Sequence, residues 1–280
     1  MIELTKADVL SLLPDRAEDT HKGDFGRILL LCGSVGFTGA AYFSAMGALR
    51  SGAGVVYLGV PSSIYEIEAL KLNEPVVFPL PEKDGMLSAE AVPQILSRLE
   101  KMDAVLIGPG LGISPGTFAV VQAVLSSAVC PVVVDADGIT LLSGHKDLLR
   151  GRDAPTILTP HDGEFARLFG PVDNNRMASS RKAAREVGSI ILLKGHRTCI
   201  TDGDLDYRNL TGNPGMAVGG SGDVLAGIIV SLLGQGLAPL EAAACAAWLH
   251  GAAGDLCAQS LGEYGMLPSD LLNVLPQLLK

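Results

Sequence analysis

Short apolar runs alternate with helix-like segments through the first two thirds of the chain, and this alternation restricts the fold more than any other feature. The runs are rich in β-branched residues or leucine and are bounded by Gly, Pro or Asp. They occupy residues 27–32, 54–60, 103–108, 131–136, 155–158 and 189–194. Continuous apolar runs of this length are typical of strands that are covered on both faces, as in a parallel sheet.

Helix-like segments lie between these runs, at residues 39–52, 88–101, 116–128 and 174–188. Strands that alternate with helices form right-handed βαβ units. The sequence therefore predicts an α/β fold in which a central, mostly parallel sheet carries helices on both faces.

The last third of the chain has a different character. Residues 198–209 predict one or two strands joined by a turn, and the rest is predicted to be helical. One helix is expected from Ser221 to Leu233, and a second from about Leu240 to Ala258, where Ala and Gly allow close packing. Because no internal repeat or linker divides the chain, residues 1–280 are predicted to form a single domain.

Composition excludes several classes of protein. Hydrophobic residues make up 48% of the chain and charged residues 18%, which is not the composition of a disordered protein. The formal charge of −9 argues against a nucleic-acid or anionic-membrane partner. The five cysteines are odd in number, widely spaced and without a C-x-x-C pair, so neither a disulfide framework nor a zinc site is expected.

One segment, residues 28–49, contains no charge and is long enough to span a membrane. Its four glycines fit a strand, a glycine turn and a helix better than a membrane span. The N-terminus has no basic segment followed by an apolar run, so no secretory signal is expected. We expect a soluble protein of the reducing cytoplasm.

The strongest chemical signal is the segment TGNPGMAVGGSGDVLAGIIVSLLG at 211–234, where a glycine-rich turn leads into an apolar helix. Gly219, Gly220 and Gly222 flank Ser221 and precede Asp223. Unpaired N–H groups at a helix start, with no Cβ atoms in the way, bind anions. Asp223 would stand beside a bound phosphate and accept a proton from an attacking hydroxyl. The alternative is that Asp223 only caps the helix, but a cap needs no glycines.

Two further glycine turns follow predicted strands. GSVGFTGAA at 33–41 lacks the G-x-G-x-x-G spacing of a dinucleotide fold, and tight strand-to-helix packing explains it equally well. GPGLG at 108–112 provides backbone that can approach a ligand closely. Ligands of parallel sheets bind at the carboxyl ends of the strands, where both turns lie.

Charged and polar side chains follow three other strands. PHDGEF at 160–165 presents His161 and Glu164, although a histidine in a loop is usually a surface residue. VDADG at 134–138 places Asp135 and Asp137 where they either position magnesium through water or form a turn.

KGHRT at 194–198 ends with Thr198 and begins with Lys194, which can neutralise phosphate charge or simply be solvated. The cluster Arg176, Arg181, Lys182 and Arg185 is interpreted as a hydrated helix face. The chain has no P-loop, no G-x-S-x-G and no H-E-x-x-H motif, which excludes the commonest NTPase and hydrolase signatures.

The ordered motifs together resemble a known family. KGDFGRILLLCGS, GAAYFSAMGALRSGAG, GPGLG, VVDADG, ILTPHDGEF, LLKGHRT and TGNPGMAVGGSGDVLAG are similar to the motif series of the ADP/ATP-dependent NAD(P)H-hydrate dehydratases, a branch of the ribokinase-like superfamily. The resemblance runs from Lys22 to about Asp255. The PHDGE and TGN…GGSGD blocks carry most of its specificity.

The resemblance implies a repair reaction, in which (6S)-NADHX or NADPHX, the hydrated cofactors, return to NADH or NADPH at the expense of ATP or ADP. It also implies Mg²⁺ as the counter-ion of the phosphates, a homotetramer, and no nucleic-acid or membrane partner. Bifunctional relatives carry an N-terminal epimerase domain, for which this chain has no room, so a separate epimerase is expected.

The resemblance also implies roles for particular residues. Asp223 would be the base on the substrate hydroxyl, and the amides from Gly219 to Gly222, with Gly220 and Gly222 counted as catalytic, would bind the transferring phosphate. The hydrate would contact Ala40 or Ala41, a glycine of the GPGLG turn (Gly110 or Gly112), His161 and Asp223. Nucleotide contacts are expected at Lys194, Gly195, His196, Arg197, Thr198, Asn213, Gly219 and Gly222.

Two alternatives remain open from sequence. A small-molecule kinase of the same superfamily, such as a thiazole or hydroxymethylpyrimidine kinase, would share the glycine–Asp block but would not need PHDGEF or KGDFG. A nucleotide-binding sensor that has lost its chemistry is the other, and the intact Asp223 argues against it.

Overall fold

The computed structural model describes residues 1–280. Nine strands form one sheet and two form a separate hairpin. The strands are β1 Arg27–Leu31, β2 Val55–Pro61, β3 Val76–Leu80, β4 Glu82–Lys83, β5 Met86–Leu87, β6 Ala104–Ile107, β7 Val132–Val134, β8 Thr156–Leu158, β9 Ile190–Leu193, β10 Cys199–Thr201 and β11 Asp206–Arg208.

Eleven α-helices accompany the strands. They are α1 Lys6–Leu12, α2 Thr38–Arg50, α3 Tyr65–Lys71, α4 Val92–Leu99, α5 Pro115–Ser127, α6 Asp137–Leu141, α7 Asp162–Phe169, α8 Arg176–Val187, α9 Ser221–Gly234, α10 Pro239–Leu261 and α11 Pro268–Leu278. Short 3-10 turns lie at Lys22–Phe25, Ser62–Ile64, Ala89–Ala91, Lys146–Leu148 and Pro214–Met216.

The large sheet has the order β11-β10-β9-β8-β7-β6-β1-β2-β3. Neighbouring strands from β3 to β9 pair in parallel, whereas β10 pairs antiparallel with both β9 and β11. The prediction of a mostly parallel sheet is therefore confirmed. The strands of the large sheet lie between residues 27 and 208.

Side chains of β1 alternate between two apolar layers. Ile28 and Leu30 belong to the layer built with α2, α9, α10 and α11, and Leu29 and Leu31 belong to the layer built with α4, α5 and α8. This alternation follows from the two-residue period of a strand, and burial on both faces explains why the run is apolar throughout. Helices thus cover both faces, as predicted.

The first layer has α2 and α9 in close contact. A Cβ atom on Gly47 of α2 would lie 2.7 Å from the Val224 carbonyl oxygen, and one on Gly227 of α9 would overlap the Ser44 carbonyl. Only glycine permits this approach. The contact places the start of α9 beside the carboxyl end of the sheet.

The segment at residues 28–49 is strand β1, a glycine turn and most of α2, not a membrane span. None of the helices combines the length and the apolar character that crossing a bilayer requires.

Several elements were not predicted. Strand β3 contains Pro79, which is tolerated because β3 is an edge strand. The β4–β5 hairpin turns at Asp84 and Gly85, whose φ angles of 54° and 76° are those of a tight Asp-Gly hairpin turn. Helices α1, α3, α6 and α7 were also missed, because they are too short to show helical periodicity, and α11 lies in the region predicted to be helical without bounds of its own.

Candidate active site

The predicted loops meet at the carboxyl edge of the sheet, because parallel strands all end on the same side. The loops after β6, β7, β8 and β9 carry GPGLG, VDADG, PHDGEF and KGHRT respectively. The start of α9 reaches the same edge, since a Cβ atom on Gly222 would lie 3.5 Å from Lys194 Nζ. The structure therefore brings together motifs that are up to 190 residues apart in sequence, from Gly33 to Asp223.

The glycine turn before α9 is open. Gly220 is the N-cap of the helix with a φ of 98°, and a Cβ atom there would lie 2.8 Å from the Phe43 ring. A Cβ atom on Gly219 would meet nothing within 4 Å, so the space beside the turn is free. The Ser221 N–H donates to the Val218 carbonyl at 3.3 Å, but the left-handed N-cap without a capping side chain leaves the amides of Gly222 and Asp223 available to an anion.

Asp223 lies in the first turn of α9 and is partly buried. Its carboxylate makes no capping hydrogen bond, so the capping alternative has no support. Burial raises the pKa of Asp223 to about 7, and the nearby charge of Asp135 acts in the same direction, whereas Lys194 opposes the rise. Such a carboxylate exchanges a proton readily near neutral pH, as a general base must.

Lys194, at the end of β9, is an ion-pair partner rather than a solvated side chain. Its Nζ lies 2.7 Å from Asp135 Oδ1 and 3.8 Å from Glu164 Oε2. Burial acts to lower the pKa of Lys194, but Asp135 and Glu164 outweigh it, so the pKa is raised and the amine stays charged. A fixed positive charge therefore stands beside the start of α9.

The two carboxylates of VDADG lie between β7 and the start of α6, and both are hydrogen-bonded within the protein. Asp135 is 1% exposed and accepts hydrogen bonds from Lys194 and from the Thr159 hydroxyl, at 2.7 Å each. Asp137 Oδ2 accepts the Gly112 N–H at 2.8 Å. No group of three or more His, Cys, Asp or Glu side chains is arranged to bind a metal. An all-protein magnesium cage is thus absent.

His161 is the N-cap of α7. Its Nδ1 accepts the N–H groups of Gly163 and Glu164, and Glu164 Oε2 accepts the His161 N–H at 2.8 Å. The other ring nitrogen, Nε2, lies 3.4 Å from Glu164 Oε1. The side chain is 53% exposed, so the capping role leaves one face of the imidazole open to a ligand.

The two remaining glycine turns contact each other. The Ser34 hydroxyl donates to the Gly110 carbonyl at 2.8 Å, and a Cβ atom on Gly110 would lie 2.8 Å from Ala40 Cβ. Ala40 is 9% exposed, whereas Ala41 is fully buried in the core. Ala40 and Gly110 are therefore in close contact at this edge, and Ala41 packs behind them in the core.

Residues 195–197 form an exposed turn after Lys194. Arg197 has a φ of 59°, and the Thr198 hydroxyl donates to the Gly195 carbonyl at 3.0 Å. The turn presents exposed backbone near the start of α9, as a nucleotide-contacting segment requires. Asn213 is tied to α10, since its Nδ2 donates to Asp255 Oδ1 at 3.0 Å.

The prediction of a hydrated arginine face on α8 needs correction. Arg176 donates to the Asp162 carboxylate and, at 2.8 Å, to the Lys194 carbonyl. Arg181 pairs with Asp206, and Arg185 pairs with Asp204. The spacing of the arginines gave no sign of these partners, which lie at the start of α7, in β11 and in the loops after β9 and β10.

The β4–β5 hairpin is a part of the site that the sequence interpretation missed. Gly85 accepts the Val35 N–H at 2.9 Å, and a Cβ atom on Gly112 would lie 2.5 Å from Met86 Sδ. The hairpin thus packs on both glycine turns at the edge where the hydrate would bind. The Asp-Gly pair was the available signal.

Known proteins share this sequence and fold. The sequence profile of the NAD(P)H-hydrate dehydratases matches residues 28–277. The chain belongs to the NAD(P)H-hydrate dehydratase family. The matched region contains every residue of the predicted site.

Individual relatives agree with the family. A bifunctional NAD(P)H-hydrate repair enzyme of Moorella thermoacetica is 46% identical over 284 aligned positions, which cover 99% of this chain and 53% of that protein. An ADP-dependent (S)-NAD(P)H-hydrate dehydratase of Neisseria meningitidis is 38% identical and covers 91% of this chain and 86% of that protein. The chain spans about half the length of the bifunctional relatives.

A solved structure supports the fold of the family. The ADP/ATP-dependent NAD(P)H-hydrate dehydratase of Bacillus subtilis, co-crystallised with ATP and Mg²⁺, has a TM-score of 0.84 and 31% identity. The superposition covers 98% of this chain and 96% of that one. The ribokinase-like architecture predicted for this chain is thus confirmed.

Proposed function

We propose that this chain catalyses the dehydration of (6S)-NADHX and NADPHX to NADH and NADPH, with ATP or ADP as the phosphoryl donor. The observation that carries the proposal is the position and pKa of Asp223. It lies beside the open glycine turn, and its pKa of about 7 allows it to accept a proton near neutral pH. Family membership supplies the substrate class.

The terminal phosphate of the nucleotide binds at the start of α9. The amides from Gly219 to Gly222 donate to its oxygens, and the nearby Lys194 ammonium adds a positive charge. The exposed turn at residues 195–198 and Asn213 contact the rest of the nucleotide. The hydrate lies on the other side of Asp223, against Ala40, Gly110 and His161.

The first step is phosphoryl transfer. Asp223 accepts the proton of the hydrate hydroxyl as that oxygen attacks the terminal phosphorus, and the bond between this phosphorus and the bridging oxygen breaks. ATP leaves as ADP, or ADP as AMP. The amides of the glycine turn stabilise the charge on the transferring group.

The second step is elimination. Hydroxide is a poor leaving group, whereas phosphate leaves readily from a carbon next to an enamine nitrogen. The carbon–oxygen bond breaks with its electron pair on phosphate, the nitrogen lone pair stabilises the positive charge, and a neighbouring carbon loses a proton to form the double bond. The products are NAD(P)H, phosphate and the spent nucleotide.

Magnesium fits this site only as a companion of the phosphates. Mg²⁺ keeps several waters and binds through one or two carboxylates plus substrate phosphates, where it neutralises phosphate charge. Asp135 is already paired with Lys194, whereas Asp137 makes no ion pair and is the residue that would accept a magnesium-bound water.

A homotetramer, an epimerase activity that supplies the S epimer, and a cytoplasmic location complete the proposal. The mass of the protein in native solution tests the tetramer. A result of one, two or three copies would reject it.

The deciding experiment incubates the protein with Mg²⁺, NADHX and either ATP or ADP. Recovery of the NADH absorbance band, with one phosphate released per molecule recovered, supports the dehydratase. Accumulation of a stable phosphorylated product would instead identify a kinase of the same superfamily. ATP binding without any turnover would identify a sensor.

A further inference from the structure

The middle of α10, residues 250–255 with the sequence HGAAGD, contacts the glycine-rich loop that precedes α9. A Cβ atom on Gly251 would overlap the Thr211 hydroxyl, and one on Gly254 would overlap Met216 Sδ. The two glycines allow the loop to lie directly on the helix backbone. This face of α10 is not explained by core packing alone.

Polar contacts fix the loop on the same helix. The Asn209 side-chain amide donates to the Ala247 carbonyl at 3.0 Å, and the Thr211 hydroxyl donates to the Trp248 carbonyl at 3.0 Å. Asp255 accepts the Gly212 N–H at 2.9 Å. The loop is therefore anchored along α10 before it reaches the glycine turn.

His250 is the residue of this face that touches the start of α9. Its Nε2 lies 3.1 Å from Ser221 Oγ, and this is the hydrogen bond that the Ser221 side chain makes. Ser221 is buried and stands between Gly220 and Gly222, at the proposed phosphate pocket. A buried hydroxyl here is either a donor to the phosphate or is turned away from it.

The imidazole is neutral. Burial lowers the pKa of His250 to about 4, with the charge of Lys194 acting in the same direction. A neutral imidazole has one N–H donor and one acceptor nitrogen. If Nε2 is the acceptor, the Ser221 proton points at His250; if Nε2 carries the proton, the Ser221 proton is free to point elsewhere.

We propose that His250 is a positioning residue of the phosphate pocket: its Nε2–H donates to Ser221 Oγ, so that the Ser221 hydroxyl donates to the terminal phosphate of the nucleotide. This inference rests on the proposed function. An anion in the pocket favours this orientation, because a hydrogen bond to a charged acceptor is stronger than one to a neutral nitrogen. His250 itself does not touch the substrate.

Two substitutions separate positioning from packing. His250→Leu keeps a side chain of moderate size but removes the donor, and His250→Gln restores an N–H donor. We expect kcat/KM for ATP to fall about tenfold in His250→Leu, the scale of one lost hydrogen bond to a charged group. The KM for NADHX should not change, and His250→Gln should recover most of the loss.

A double-mutant cycle tests the route of the effect. Ser221→Ala should lower kcat/KM for ATP by a similar factor, and His250→Leu should cause no further loss in the Ser221→Ala background. Additive losses would overturn the proposal, because His250 would then act independently of Ser221. If His250→Leu does not fold, Ser221→Ala still tests the proposal. Unchanged ATP kinetics in Ser221→Ala would equally overturn the proposal.

The Kd of AMP distinguishes a lost phosphate contact from a general loss of structure, because a general loss of structure would weaken AMP binding as well. AMP lacks the terminal phosphates, so its Kd should be the same in His250→Leu and the unmodified protein, whereas the Kd of ATP with Mg²⁺ should rise. Equal weakening of both would overturn the positioning role. His145→Gln, at an exposed histidine stacked on Phe118, is the matched control and should change neither Kd.

The ring tautomer can be observed without turnover. The ¹⁵N spectrum of the ATP-bound protein should show a proton on His250 Nε2, and a proton on Nδ1 instead would overturn the inference. An unmodified protein that fails to convert NADHX would reject the proposed function. Conversion of NADHX with no effect of His250→Leu would reject only the role of His250.

Discussion

Two helices of this protein, α2 and α9, begin after glycine turns at the same edge of the sheet, yet only one of them has the charges of an active site. The turn before α2 has no acidic residue in the first helical turn and no capping side chain, and a Cβ atom on Gly33 would meet Ala41 and Ile64 in the core. Both turns nevertheless have an open side, since a Cβ atom on Gly36 or on Gly219 would meet nothing within 4 Å.

The difference lies in the side chains around the two turns. Near α9, the charges of Asp135, Asp137 and Glu164 raise the pKa of Asp223, whereas the charge of Lys194 lowers it. Glycines provide room in both places, but phosphate chemistry also needs a base and a counter-charge. A glycine cluster alone is therefore a weak functional marker.

The largest expected effect comes from Asp223→Asn. Turnover of NADHX should fall by about 10²-fold or more, the usual scale for loss of a general base, because an amide cannot accept the hydroxyl proton. Nucleotide binding should remain, since the amides of the glycine turn are unchanged. Steady-state turnover and calorimetric ATP binding measure the two quantities.

Asp270→Asn is the matched control. Asp270 also lies in the first turn of a helix, where its Oδ2 accepts the Leu267 N–H at 2.7 Å, so it is a true capping residue. Its substitution should leave turnover unchanged. If Asp223→Asn retained nearly full turnover, the proton-transfer role of Asp223 would have to be abandoned.

Gly220→Val should have the next largest effect. The φ of 98° is unfavourable for valine, and the new side chain would collide with Phe43 and enter the phosphate pocket. We expect kcat/KM for ATP to fall at least about tenfold, as for one lost interaction with a charged group. Initial rates over a range of ATP concentrations measure it.

Gly262→Val controls for backbone strain. Gly262 has a φ of 74°, ends α10 and would place its Cβ atom in open space. This variant should lose about 1 kcal/mol of stability without a change in ATP kinetics. Unchanged ATP kinetics in a folded Gly220→Val protein would contradict the phosphate pocket.

Lys194→Met is expected to shift the pH profile. Activity should rise with pH as Asp223 loses its proton near pH 7, and the ammonium of Lys194 favours the ionised form of that carboxylate. Without the ammonium, the pKa of Asp223 rises, and the midpoint of the profile should move up by about one pH unit. The pH dependence of kcat/KM measures the shift.

Lys146→Met provides the comparison for that profile. Lys146 pairs with Glu186 at 2.5 Å, remote from the sheet edge that carries the site, so its loss should leave the midpoint where it is. A midpoint that did not move in Lys194→Met would mean that Lys194 does not act on Asp223.

The sequence predicted those secondary-structure elements that are determined by short runs of neighbouring residues. Apolar runs predict six strands of the parallel sheet, because strands buried on both faces have no polar positions. Strand β3 was not predicted because Pro79 interrupts its apolar run. The proline is tolerated because β3 lies at the edge of the sheet, and that position is known only from the assembled sheet.

The loops of the site were predictable for a similar reason, since parallel strands end at one edge. Their side-chain partners were not. The ion pair of Lys194 with Asp135 joins residues 59 positions apart, and the contact of Ser221 with His250 depends on how α10 packs beside α9. The raised pKa of Asp223 also requires burial, which only the assembled fold provides.

The effect expected on stability has opposite signs at the starts of α9 and α11, which carry Asp223 and Asp270. The folded pKa of Asp223, about 7, lies above its ordinary value of 3.8. Between these values the folded protein keeps a proton that the unfolded chain releases, so the free energy of unfolding falls as the pH rises. Above pH 7 the full cost of a buried carboxylate is present.

Asn does not ionise, so Asp223→Asn should stabilise the protein by roughly 4 kcal/mol near pH 8, with the gain declining to zero below about pH 4. Asp270→Asn should instead destabilise it by about 1 kcal/mol, because it weakens a cap. Urea unfolding at several pH values measures both. A loss of stability in Asp223→Asn near pH 8 would mean that Asp223 is a structural carboxylate like Asp270. The start of α9 would then no longer be distinguished as the place of the chemistry.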